Sequence, residues 1–73
     1  MEPELFFVYW SFETRSSWQI IFIDKNEITL QNFEKGKIHK TTILEFKKAI
    51  EDKKLKEHTK QNEMIKYYNS IKK

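Results

Sequence analysis

From Leu5 to Phe12 every residue except Ser11 is apolar, and Trp18 to Ile23 repeats the pattern with Gln19 as its one polar member. Aromatic and β-branched residues at this density suit strands rather than helices. Alternate residues of a strand point to opposite sides, so the first run offers Phe6, Val8, Trp10 and Phe12 to one face and Leu5, Phe7 and Tyr9 to the other. In the second run Trp18, Ile20 and Phe22 oppose Gln19, Ile21 and Ile23. An antiparallel sheet with one wet face alternates cleanly, so strands that are apolar on both sides call for something to cover each of them.

The rest of the chain supplies the turns and a helical half. The small polar stretch Thr14-Arg15-Ser16-Ser17 joins the two runs into a hairpin, and Asp24-Lys25-Asn26-Glu27 leads to a third strand, Ile28 to Phe33, with regular alternation. Glu34-Lys35-Gly36-Lys37 holds the only glycine, which suits a bulged turn into a short fourth strand at Ile38 to Lys40. Thr42, followed three residues later by Glu45, is a capping-box pattern ahead of a helical stripe of Ile43, Phe46, Ala49 and Ile50. The stripe then lapses, because Leu55 lies about 140° around a helix from Ile50 at 100° per residue. It resumes with Met64, Tyr68 and Ile71, joined by Ile65 and Tyr67. No Gly or Pro interrupts residues 42–72, so one helix of about 46 Å is admissible. The polar middle favours instead a break near Glu57 to Lys60, with helices over 42–56 and 60–72. The expected architecture is α+β, a single domain over 1–73: a three- or four-stranded antiparallel sheet within 5–40, followed by one or two C-terminal helices. Of the sheet's two apolar faces the first helix covers one. The second helix, another copy of the chain or a foreign partner is left for the other.

Size limits what such a domain can do. Seventy-three residues remove only roughly 60% of the unfolded surface and give a single core worth roughly 3–5 kcal/mol. The chain has no cysteine, which excludes disulfides, thiolate metal sites and a thiol nucleophile. His39 and His58 are too far apart for a helical metal-ligand pair, and Ser11, Ser16, Ser17 and Ser70 lie in no nucleophile-elbow sequence. No catalytic, metal or cofactor residues are expected, and no enzymatic activity. The six-residue apolar run from Leu5 to Trp10 follows Glu2 and Glu4, has no cationic leader and is too short to cross a membrane. The expected location is the cytoplasm, with no membrane partner.

Charge is divided between the halves. Residues 1–34 carry Arg15 and Lys25 against six carboxylates, whereas residues 35–73 carry twelve lysines against five, so the halves stand at −4 and +7. Eleven aromatics in so small a chain suggest an interaction surface. The expected function is therefore a non-enzymatic binding protein of the inhibitor or adaptor type, of a kind that phages and mobile elements encode. It would dock on a partner protein through an aromatic sheet face bearing Tyr9, Trp10, Phe12 and Trp18. The alternative is a nucleic-acid- or nucleoprotein-binding module that contacts phosphates through Lys47, Lys48, Lys53, Lys54, Lys56 and Lys60. A homodimer is compatible with either. Because thirteen of the fourteen cations are lysine, forked recognition of particular bases is not expected.

Overall fold

Three tight connections fold residues 8–42 onto themselves. The computed structural model describes residues 3–71. Strand β1 (Val8–Ser11) turns through Phe12 to Arg15 into β2 (Ser16–Ile23), with Ser11 paired to Ser16. Arg15 takes a left-handed φ of 54°, and Ser11 Oγ accepts the Thr14 N–H at 3.2 Å. The turn thus begins two residues earlier than the sequence suggests, and Phe12 belongs to it rather than to the strand. Strand β3 (Glu27–Asn32) follows, closed by a hydrogen bond from Asp24 N–H to Glu27 C=O. At the next turn Asn32 Oδ1 accepts both the Glu34 and Lys35 N–H groups at 2.9 Å. Gly36 supplies the required φ of 68° before β4 (Ile38–Thr42). An Asx turn closed by a left-handed glycine is the outcome that this sequence encodes most directly.

Helix α1 (Ile43–Glu51) starts at the foreseen cap: the Glu45 N–H donates to Thr42 Oγ1 at 3.1 Å, and the Thr42 hydroxyl donates to the Glu45 carboxylate at 3.0 Å. It stops five residues before the expected end. Lys53 adopts a φ of 61°, its N–H bonds to the Ile50 carbonyl, and the Lys54 N–H reaches back to the Ala49 carbonyl. This is a Schellman stop with lysine where glycine is usual. The chain then forms an unforeseen strand, β5 (Leu55–Glu57), before α2 (Thr59–Ile71). Leu55, off the helical stripe, instead points from β5 into the core. Two helices are present, but they part over 52–58 rather than near Glu57 to Lys60, and a strand rather than a simple turn lies between them.

The sheet has five strands in the order β4-β3-β2-β1-β5, each antiparallel to its neighbours. The α+β class holds, with one strand more than the sequence indicates. Directly paired residues share a side, so the registers place Tyr9, Ser11, Trp18, Ile20, Leu30, His39, Thr41 and Leu55 together. Phe46 of α1 packs edge-on to Tyr9 at 4.8 Å there, and the core collects Phe7, Tyr9, Ile20, Ile28, Leu30 and Phe46. Val8, Trp10, Ser17, Gln19, Gln31, Lys40 and Lys56 occupy the other side.

Two bulges override the expected alternation. Phe6 has a φ of 71°, and both its N–H and the Phe7 carbonyl bond to Ile20; regular β1 therefore begins at Val8 instead of Leu5. Between Ile20 and Phe22 the β2–β3 register shifts, so Ile23 pairs with Ile28 and packs on the core while Phe22 is 58% exposed. A bulge inserts one residue and reverses the facing of those beyond it.

Candidate protein-binding surfaces

The nine residues of α1 are too few to cover the sheet. Toward the β1–β2 turn a half-open cleft of about 330 Å³ remains, with Tyr9, Trp18 and Phe46 as its aromatic walls and Glu13, His39 and Glu45 among its polar lining. Trp18 is fixed there: its indole N–H donates to Thr14 Oγ1 at 3.0 Å, and its ring meets that of His39 edge-on at 6.1 Å. Burial, followed by the fields of Glu57 and Glu4, pushes the Tyr9 phenol well above its usual range, so it stays neutral. The charged side chains at the cleft are Glu13, Glu45 and Lys54. An aromatic floor with two exposed carboxylates against one lysine favours a cation.

A second, shallow depression involves Trp10, Phe12, Lys56, Glu57 and His58. His58 extends the β5 register opposite Val8 and reaches over to Ser17, with Nε2 and Oγ 3.3 Å apart. The four aromatics expected to form one docking face are thus divided. Tyr9 is buried under Phe46, Trp18 stands beside it, and Trp10, paired with Ser17, points to the other side of the sheet. Phe12 is exposed in the turn. Chain pairing, which hydropathy does not report, separates the two tryptophans.

The six lysines are likewise distributed. Lys47 and Lys48 lie on α1, Lys53 and Lys54 in its C-terminal stop, Lys56 on the far side of β5, and Lys60 in the first turn of α2. At 100° per residue the six would point all round a single helix, and ending α1 at Glu51 divides them further among four segments.

Helix α2 holds residues that the expected site omits. Asn62, buried within the protein at 2% exposure, accepts the Val8 N–H at 2.7 Å and donates to the Val8 carbonyl at 3.1 Å. Its side-chain amide thereby continues the β1 ladder where β5 has ended. Asn69 donates to the Leu5 carbonyl at 3.1 Å, and Ile65 between them packs on the core. Met64, Tyr67 and Ile71 face away from the body and are 74%, 62% and 64% exposed. The signal was present in the sequence as two asparagines seven residues apart, one helical face, with an isoleucine between them.

Among the described residues no group of three or more His, Asp or Glu side chains could hold a metal ion, and no helix is long and apolar enough to cross a membrane. No protein-family model, curated protein or solved structure matches the chain.

Proposed function

We propose that this chain is a non-enzymatic binding protein, of the inhibitor or adaptor type, that docks a partner protein on the cleft between α1 and the β1–β2 hairpin. The reading is carried by one observation, the half-open cleft that combines the walls of Tyr9, Trp18 and Phe46 with the carboxylates of Glu13 and Glu45. At about 330 Å³ it lies at the small end of ligand sites and has room for one long side chain with its flanking backbone. Its chemistry selects a basic segment. A lysine or arginine side chain laid over Trp18 gains a cation–π contact of about 0.5–2 kcal/mol and reaches the two carboxylates at the rim. At the cleft the two carboxylates outnumber the single Lys54, a local balance that favours a cationic partner.

The test is a titration of isotope-labelled protein with acetylated trilysine amide, followed by amide and indole resonances. Shifts should concentrate at Glu13, Trp18, His39 and Glu45, and the charge reversal Glu13→Lys should weaken binding several-fold without changing the melting temperature by more than a few degrees. No shift at millimolar peptide, or shifts confined to residues outside the cleft, would reject the reading. A parallel titration with duplex DNA addresses the lysines. Salt-sensitive shifts along residues 47–60, with none at the cleft, would replace the protein partner by a polyanion.

A further inference from the structure

Helix α2 is amphipathic in the reverse sense. A helix at a protein surface ordinarily buries its apolar stripe and turns polar residues to water. Here Asn62, Ile65 and Asn69 hold the helix to residues 5–8. At 100° per residue, Lys60, Met64, Tyr67 and Ile71 fall within about 60° of one another on the opposite side. Tyr68, 54% exposed, flanks them. A single exposed apolar residue needs no explanation, but a continuous helical stripe of them does.

We infer that this stripe is the seam of an antiparallel homodimer in which α2 packs against α2 of a second copy. The spacing specifies the occupant. Lys60, Met64, Tyr67 and Ile71 are separated by four, three and four residues, an a/d rhythm that reads the same in both directions. A two-fold axis between residues 65 and 66 therefore sets Met64 of one copy against Tyr67 of the other, and the aliphatic stem of Lys60 against Ile71. The patch is complementary to itself, as an isologous interface requires. Its size sets the strength. If Met64, Tyr67, Ile71 and the stem of Lys60 each bury on the order of 100 Å², the pair removes about 800 Å² in total, below the range of permanent dimers. The association is then transient. Lysines outnumber acids along the exposed side of the helix, with Lys60 and Lys66 against Glu63. Two copies repel each other there, and added salt strengthens the dimer by screening. Contact with a polyanion or an anionic membrane has the opposite salt dependence. The inference is independent of the proposed cleft function, because α2 contributes no lining residue to the cleft.

Sedimentation velocity between 10 μM and 1 mM tests it. The expected result is a shift from monomer to dimer that is greater at 500 mM than at 50 mM salt, and that is lost in the Met64→Gln/Tyr67→Gln variant. Both side chains are exposed in the monomer, so the variant should keep the parent circular dichroism melt at 10 μM. Orientation is read separately. The chain has no cysteine, so a spin label on the exposed site Gln61→Cys, mixed with isotope-labelled parent protein, should broaden resonances near Ser70 in the other copy. Broadening near Gln61 instead overturns the antiparallel seam. A monomer at 1 mM in high salt overturns the dimer. A monomer that binds phosphatidylglycerol vesicles in low salt assigns the stripe to a lipid surface.

Discussion

The two helices are attached to the same sheet by opposite means. α1 lays Ile43, Phe46 and Ile50 on the core, begins at a side-chain cap and ends in a backbone stop. α2 has one core residue, Ile65, and is otherwise held by two asparagine side chains that bond to the backbone of residues 5 and 8. Burial is non-directional, so α1 is fixed by area and shape. An amide inserted in a strand ladder is directional, so α2 is fixed in register with Met64, Tyr67 and Ile71 turned outward. Helical periodicity therefore identifies the face that packs inward in α1 and the face that points outward in α2.

The comparison can be broken most severely on the α1 side. Phe46→Ala removes a buried ring from contact with Tyr9 and should cost about 3–5 kcal/mol, as much as the whole stability of a domain of this size, so chemical denaturation should find the variant largely unfolded. Asn62→Leu asks whether α2 depends on area or on hydrogen bonds. It adds apolar surface but orphans the Val8 N–H, and should lower stability by about 1–3 kcal/mol. If the leucine variant matched the parent, burial would hold α2 as it holds α1.

Ionisation probes the α1 interface more gently. The folded-state pKa of Tyr9 is raised above its ordinary value of 10.0 by burial, Glu57 and Glu4. The unfolded chain therefore loses its Tyr9 proton first as pH rises, and the stability present below pH 10 declines above it, by at most about 1.4 kcal/mol per pH unit. Tyr9→Phe should flatten that alkaline limb in melts between pH 9 and 11; an unchanged limb would assign it to other groups. The smallest change concerns where α1 stops. Lys53→Gly relieves a left-handed lysine and should raise stability by about 0.5–1 kcal/mol, measured by denaturant midpoint. A loss instead would mean that the Lys53 side chain contributes more than its backbone costs.

Features legible in the sequence are local ones. The Gly36 turn, the Thr42–Glu45 cap, the first four strands and the interruption between the helices each follow from a few adjacent residues. Non-local pairing decided the features that the sequence obscured. β5 exists because β1 had a free edge within reach of Leu55 to Glu57. The bulge beyond Ile20 brings Ile23 onto the core, where regular alternation would have put Phe22. The same holds for the candidate site. Tyr9 and Trp18 could be singled out by residue type, but His39, Glu13 and Glu45 join them through strand register and the placement of α1.

By itself the sequence determined the α+β class, the hairpins, the entry into α1 and the exclusion of thiol and disulfide chemistry, because each depends on composition or on residues within one turn of each other. Only the tertiary structure decided that the two tryptophans stand on opposite sides, that the lysines are divided between α1, its stop, β5 and α2, and that α2 meets the sheet with Asn62 and Asn69. Those outcomes depend on which backbone groups remained unpaired once the first four strands had formed. Asn62 answers a Val8 N–H whose burial without a partner would cost about 1–3 kcal/mol, and with Asn69 on the Leu5 carbonyl it sets the face of the helix that meets the sheet.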